Sequence, residues 1–521
     1  MSSRKDRIRQ SVELSYKAFE SKMKIDNINS ELVYTNQRET ALEIVELFLD
    51  GVVLVTLLAE PQVGKTGVML YTSYLMATHG DPDFMIDPTN IFIITGMDDT
   101  DWLEQTKGNF PDALNQKIYT RQKFCQLDTL DSVRDALIII DECHIASEKT
   151  HQLSKAITKA GWDTPEKLIH KGIKIIQVSA TPAHTLFNAV TRWGDNHGYL
   201  RMKSSDRYIG FQKLIEAGKI VDIRNIINYN DLFSNIEQVI NTNFNTPKYH
   251  IFRLNAKTSG AFYEMITNND WKCIQHNSKQ REDVDNLLEN PPLKHTFIVI
   301  QNFWRAGKRL NDTHIGVVFE PPSKKGDDNV TTQSLAGRLC GNDKQMPSSG
   351  SPIIYCDKKS IERYTEWFNS SDYSRFRTPY NSRQIRVDEN LNISVRSSFH
   401  GDSQRIFTHP VICHLEFFRT INEVNMFLSE KLGKNINIRP FRIIDQYQLS
   451  SRLTTFYGGR HVSELTKDDR LTYEKYSSIG ERTNLSSTGV GQQYMVYPVY
   501  DNLESSPLEV KYYIRYLNIN I

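Results

Sequence analysis

Apolar runs at 52–58, 91–94, 136–140 and 173–178 punctuate the first part of the chain. Apart from Thr56, Lys174 and Gln177 they are apolar throughout rather than alternating, as expected of strands buried on both faces of a parallel sheet. Stretches of helical spacing lie between them. Ala41, Ile44, Val45 and Phe48 make a stripe in 40–49, and 67–79 has helix length and is closed by Gly80. The alternation resumes after 245, with strands expected at 249–254, 272–276, 296–301, 315–319 and 353–356 and helices at 280–289 and 361–368. Strand–helix alternation met twice predicts an α/β protein with two parallel-sheet lobes in tandem. The first lobe is placed at 31–200 and the second at 246–370. Residues 1–30 are polar with Val12, Leu14, Ala18 and Phe19 at helical spacing, which reads as a helix or arm. The Asn-rich stretch 201–245 reads as a linker. Residues 371–521, with a helix at 417–432 and a turn and strand at 484–498, read as a smaller accessory domain of mixed α+β.

Composition narrows the class. A length of 521 residues suits roughly two to four domains. Hydrophobic residues at 39% and charged residues at 24% suit a soluble globular protein. Lys+Arg number 63 against 62 Asp+Glu, so any surface for nucleic acid must be a local patch. Cys125, Cys143, Cys273, Cys340, Cys356 and Cys413 form no C-x-x-C pair. They read as free thiols of a reducing compartment, not as a disulfide frame or zinc site. Arg4, Lys5, Asp6 and Arg7 replace any apolar signal region, and no apolar run reaches the ~20 residues that span a bilayer. The expectation is an intracellular soluble protein of the cytoplasm, nucleus or a viral replication site, without a membrane partner.

Chemistry gathers where the apolar runs end. The run 52–58 leads into Ala59, Glu60, Pro61, Gln62, Val63, Gly64, Lys65 and Thr66, and then into a helix. A strand, a tight loop ending Gly-Lys-Thr and a helix is the layout of a phosphate-binding P-loop. Backbone N–H groups cradle a polyphosphate, Lys65 reaches its β/γ-phosphates and the Thr66 hydroxyl ligates Mg²⁺. Ala59 stands where the pattern has its first glycine, so the literal match is incomplete. The run 136–140 delivers Asp141-Glu142-Cys143-His144. Asp141 suits Mg²⁺ held through water, and Glu142 suits the orientation and deprotonation of an attacking water. An acidic pair alone reads as a loop; one downstream of Gly-Lys-Thr reads as part of a nucleotide site. Ser179 and Thr181 end the run 173–178 and either bond the acidic loop next door or make a plain turn. Gln37 lies one helix upstream of the P-loop strand, where its amide suits an adenine edge or simply starts a helix. Trp102 opens a helix after 91–94 and suits either stacking on a base or packing on its own sheet.

Together these residues resemble the superfamily 2 helicases and translocases of the DEAD/DEAH type. Ala59 to Thr66 resembles motif I, Asp141 to His144 motif II, Ser179 to Thr181 motif III, and Gln37 the upstream glutamine. The nearest flavour resembles the helicase subunits of restriction enzymes and the helicases of phages and large DNA viruses. In the second half, Arg305, Lys308 and Arg309 around Gly307 resemble motif V, with a basic surface loop as the plain alternative. Gln333, Gly337 and Arg338 resemble motif VI, whose helix faces the nucleotide across the cleft between lobes.

The resemblance implies two RecA-like lobes with ATP and Mg²⁺ between them, a nucleic-acid partner (DNA or RNA), and hydrolysis coupled to translocation or unwinding. Glu142, Asp141, Gln333 and Arg338 would be catalytic, and the P-loop with Gly307 would hold phosphate. His144, Ser179 and Thr181 would couple nucleotide state to the lobes, and Trp102 and Arg305 would touch nucleic acid. One departure stands out. The family's second arginine, three residues after the first, is Gly341 here. Arg305 or Arg309 would then supply the missing charge, or turnover is weak; an arginine finger is worth about 10³–10⁵ in rate.

A nucleotide-gated clamp or assembly factor with little turnover is the alternative of another class. Residues 372–410 interleave Arg375, Arg377, Arg383, Arg386, Arg396 and Arg405 with Tyr373, Phe376, Tyr380, Phe399 and Phe407. That is a single-strand-binding composition, or an arginine-rich surface. Asp501 with Glu509-Val510-Lys511 mimics a nuclease metal site, which adds a helicase–nuclease fusion as a third reading; Glu-x-Lys is also common on plain strand faces.

Overall fold

The computed structural model describes residues 3–25, 32–98, 100–145, 147–224, 226, 228–255, 258–277, 280, 282–300, 310–323, 327–342, 344–370, 382–387, 393–401, 403–406, 411–413, 418–432, 435–437, 442–444, 448–450, 494–499 and 511–517. The chain divides into two compact units. Unit 1 is Met1–Ile385 with Arg396–Ser403, and unit 2 is Arg386–Val395 with Gln404–Ile521.

Unit 1 contains two six-stranded parallel sheets. The first is built from β1 (Leu54–Leu58), β2 (Ile91–Thr95), β3 (Ile118–Tyr119), β4 (Ala136–Asp141), β5 (Ile173–Ser179) and β6 (His197–Arg201), in the order β3-β2-β4-β5-β1-β6. Every residue of β1, β2 and β4 is buried, which is why their sequences are apolar apart from Thr56 and the strand-end residues Thr95 and Asp141. One strand, β5, separates the P-loop strand from the acidic strand. Register then puts Leu58 beside Ser179 and Asp141 beside Val178 and Thr95, so the three tips meet at one edge. Phe92, Phe124, Trp162 and Trp193 fill the core on one face.

The second sheet takes β7 (Ile220–Asp222), β8 (Tyr249–Arg253), β9 (Lys272–His276), β10 (Thr296–Ile300), β11 (Ile315–Phe319) and β12 (Ile353–Cys356), in the order β7-β12-β11-β8-β10-β9. Phe233, Phe252, Phe262, Phe297 and Phe319 pack its core. The expected linker at 201–245 is corrected here. β6 pairs with β1, β7 pairs with β12, and the helix Tyr229–Asn243 buries Phe233, Ile236 and Ile240 in the second core. A three-residue strand in an Asn-rich stretch is too short to show a period, so only pairing reveals it.

The expectation for 372–410 is also corrected in part. Residues 396–403 return to the first lobe, where Phe399 is 4% exposed in its core. Arg383 and Arg396 pair with Glu148. Arg375, Arg377, Tyr373, Phe376, Tyr380 and Phe407 lie outside the described residues.

In unit 2, Ile393–Val395 pairs antiparallel with Gln404–Ile406. Lys511–Leu517 pairs antiparallel with both Val411–Cys413 and Tyr494–Val499. The helix Ile421–Leu432 supplies Val424 and Leu428 to a core with Val496 and Ile514. No helix among the described residues is long and apolar enough to cross a membrane.

Candidate active site

The P-loop turns at the C-terminal end of β1. Its positive φ angles fall at Gln62 (59°) and Gly64 (104°) and not at Ala59. An alanine therefore costs nothing at the position where the motif usually carries glycine. Lys65 begins the helix Lys65–Ala77. The Gln37 amide donates to Gly64 O at 3.0 Å, and its oxygen accepts from Tyr34 N–H at 2.9 Å. That ties the upstream helix Thr35–Leu49 to the loop. A cavity of about 370 Å³ opens here, lined by Gln37, Gln62, Gly64, Lys65, Thr66, Trp102, Asp141 and Glu142. Ala59, Glu60, Pro61 and Val63 are not on its wall. The Glu60 carboxyl is turned toward Gly210. Burial pushes it up to about 7, against the partial opposition of Arg201 and Lys213.

Lys65 Nζ lies 3.4 Å from Glu142 Oε1, and both side chains are buried. Burial alone would depress the Lys65 ammonium, but Glu142 and Asp141 hold it above its ordinary value. Burial would likewise raise Glu142; Lys65 and His144 outweigh it and hold that carboxyl below the usual range. Asp141 goes the other way. Burial first and the Glu142 charge second push it up to about 6. One lysine thus serves two carboxylates and compensates Glu142 best, leaving Asp141 as a dry, under-neutralised anion. That donor chemistry fits a divalent cation shared with Thr66 and phosphate oxygens. Glu142 has φ 50°, a left-handed conformation costing about 1–3 kcal/mol in a non-glycine residue. The turn is held by Glu142 N–H donating to Asp141 Oδ1 at 3.0 Å.

Trp102 is the residue whose expected position changes. It is 8% exposed, and its indole N–H donates to Asp141 Oδ2 at 3.0 Å. Buried against the acidic pair at the wall of the cavity, it orients the metal-ligand candidate through that hydrogen bond. Only packing could decide this, because an aromatic opening a helix is compatible with either role.

His144 Nδ1 lies 2.8 Å from Ser179 Oγ and 3.4 Å from Glu142 Oε2. Burial pushes His144 below its ordinary value, against the pull of Glu142. The Ser179 hydroxyl also accepts from Thr181 N–H at 3.0 Å. From the second lobe, the Gln333 amide donates to Thr181 Oγ1 at 2.6 Å and to Glu142 Oε2 at 3.3 Å. Tyr364 donates its hydroxyl to Ala180 O at 3.0 Å. Arg338 ends the turn Leu335–Arg338 at 1% exposure. Beside it, a β-carbon on Gly337 would stand 3.3 Å from that of Pro61 in the P-loop. Arg305, Gly307 and Arg309 lie outside the described residues, as do Asp501 and Glu509.

Sequence reasoning missed Asn342. Its amide donates to Val63 O at 2.8 Å, its oxygen accepts from Ser205 Oγ at 2.8 Å, and it lines the same cavity. Gly341 before it exchanges both backbone hydrogen bonds with Ile209, at 2.9 and 3.0 Å, with φ 151°. The position at which the family carries its second arginine is therefore a backbone pin. Gly341→Arg is expected to lower stability by about 1–3 kcal/mol rather than add a finger. Thermal melting and steady-state phosphate release check this; raised turnover with an unchanged melting temperature would contradict it.

The two six-stranded parallel sheets in tandem, with a single strand between the P-loop and acidic strands and Gln333 reaching across from the second lobe, give the chain a two-lobed α/β fold. No protein-family model matches it. The chain is 28% identical over 380 residues to an uncharacterized protein of Acanthamoeba polyphaga mimivirus, covering 67% of this chain and 91% of that one. Among solved structures, Dbp5 of S. cerevisiae bound to RNA and ADP BeF3 matches with TM-score 0.41 and 13% identity, over 67% of this chain and 90% of that one. The NS3-like helicase from Alongshan virus matches with TM-score 0.36 and 12% identity, over 58% of this chain and 72% of that one.

Proposed function

We propose that the protein is an ATP-dependent helicase or translocase that hydrolyses ATP between its two lobes and acts on DNA or RNA. The observation that carries this is one line of contacts from Lys65 through Glu142 to Gln333, which joins the phosphate loop to the opposite lobe. A phosphate entering the loop draws Lys65 off Glu142. The freed carboxylate is then the base nearest the γ-phosphate, suited to take a proton from an attacking water. Thr66 and Asp141 would hold Mg²⁺, which neutralises phosphate charge when bound. Arg338, buried in the second lobe beside the P-loop, supplies fixed positive charge toward the same phosphates. Ser179, Thr181 and His144 share hydrogen bonds with Glu142 and Gln333, so any movement of the γ-phosphate is felt across the cleft.

Steady-state ATPase with single- and double-stranded DNA and RNA tests this reading. Stimulation by one of them supports it, and the absence of turnover with every one of them counts against it. Gln333→Ala is expected to lower kcat about 10- to 100-fold with little change in nucleotide affinity, since it removes donors to Glu142 and Thr181 without touching the loop. Equal losses in kcat and affinity would assign Gln333 to binding instead. A nucleotide-gated clamp is the second reading, favoured by Gly341 standing where the second arginine is usual. Tight ATP binding without stimulated turnover would select it.

A further inference from the structure

The loop after the acidic pair is clasped by residues far away in the sequence. Arg396 Nη1 donates to Glu148 Oε2 at 3.2 Å, and Arg383 approaches Glu148 Oε1 at 3.9 Å. Ser398 forms an antiparallel bridge with Glu148, and Phe399 N–H donates to Ser147 O at 3.2 Å. Arg396 O accepts from His184 Nε2–H at 2.7 Å and from the Asn188 amide at 3.1 Å. Both donors lie on the helix Ala183–Trp193, which starts just after Thr181 and Pro182.

These contacts run on toward the site. His184 Nδ1 lies 3.2 Å from Ser147 Oγ, and that hydroxyl lies 3.1 Å from His144 O. His144 then meets Ser179 and Glu142. A neutral imidazole has one proton for its two nitrogens. Donation to Arg396 O therefore leaves Nδ1 as an acceptor and turns the one Ser147 hydroxyl proton toward it, away from His144 O. Below the strap, His400 Nε2 is 2.8 Å from Gln177 Oε1, and the Gln177 amide donates to Thr56 on the P-loop strand. The strap thus touches β5, the strand between those carrying the phosphate and acidic motifs, and reaches the P-loop strand through Gln177. Residues on either side of it, 386–395 and 404–521, belong to unit 2.

We infer that the strap Arg396–Ser403, which the chain reaches from unit 2 and leaves toward it, is a positioning element for the acidic pair that sets the turnover of the nucleotide site. The inference rests on the ATPase reading but assigns it residues outside every motif of that reading. Arg396 and Glu148 are the positioning residues, acting through Ser147, His184 and His144. The structure holds the strap docked on this loop, and weakening that docking is what the test measures. The Arg396 side chain is 56% exposed, so its removal weakens the latch with little effect on folding.

The test uses the full chain. Binding of a fluorescent ATP analogue is measured first, then ATPase with oligo(U) and oligo(dT), for wild type, Arg396→Ala, Arg396→Lys and Glu148→Ala. The expected result is a fall of about tenfold in kcat for the two alanine variants, with KM for ATP within about twofold and substantial rescue by lysine. Unchanged kcat, or kcat falling together with KM and melting temperature, overturns the inference while leaving the ATPase reading standing. A wild type that binds no analogue overturns the ATPase reading itself. If the wild type binds ATP without turnover, amide hydrogen exchange at 144–148 with and without a non-hydrolysable analogue decides. Protection on binding that is lost in Arg396→Ala upholds the inference, and identical responses in the two proteins overturn it.

Discussion

Lys65→Ala is expected to weaken nucleotide binding at least about 100-fold and to abolish turnover, since it removes the buried cation at the phosphate loop. Its second effect is less obvious. Lys65 is the counter-charge for two buried carboxylates, and without it only the hydrogen bonds from Trp102 and Glu142 N–H to Asp141, and the Ser179 and His144 contacts of Glu142, are left to offset burial. Their folded pKa values would then lie above the unfolded ones. Such a group leaves stability intact below its unfolded pKa and costs stability as pH rises through the folded value. The variant is therefore expected to match wild type below about pH 4, where the unfolded carboxyls are protonated too, and to fall progressively behind as pH rises above that. The deficit at neutral pH should be on the order of 3–5 kcal/mol, that of a buried ion left unpaired. Denaturant unfolding at pH 4, 6 and 8 measures it. A deficit that does not grow with pH would show that Lys65 does not neutralise the pair in the free protein.

Glu142→Gln should separate binding from chemistry. Loss of the general base predicts a fall in kcat of about 10²–10⁴. Affinity for ATP should be unchanged or higher, because Lys65 no longer has Glu142 to leave. The stability effect has the opposite pH sign to that of the lysine variant. Glu142 is held below the usual carboxylate range, so its contribution is present above its unfolded pKa and vanishes as acid protonates it. The glutamine variant should be less stable than wild type at pH 7 and equal to it near pH 3. Single-turnover kinetics with an equilibrium binding measurement checks the first part, and melting curves at the two pH values check the second. A Glu142→Gln enzyme with wild-type kcat would remove Glu142 from the chemistry and transfer the base role elsewhere.

Much of the first lobe is legible in the chain because a doubly covered parallel strand must be continuously apolar. The runs at 91–94 and 136–140 are such strands, 173–178 is one interrupted by Lys174 and Gln177, and Asp141 and Ser179 stand at the tips of the last two. Lys65 and Thr66 are legible for a similar reason. A glycine-flanked loop between strand and helix has few uses for a lysine and a hydroxyl besides phosphate and metal. The second lobe is legible over its long runs and illegible at β7, whose three residues lack a measurable period. The strap residues Phe399 and His400 carry no local pattern at all, since their environment is supplied by strands and helices more than two hundred residues earlier.

By itself, then, the order of apolar runs and polar tips determined two tandem parallel lobes, the phosphate loop and the acidic pair. Local periodicity and turn chemistry are properties of neighbouring residues, so they survive in the linear text. Tertiary structure alone decided that Trp102 binds Asp141, that Gly341 and Asn342 pin the P-loop instead of presenting an arginine, and that residues 396–403 clasp the loop after His144. Those facts depend on which distant surfaces meet and on which polar atoms burial forces to pair.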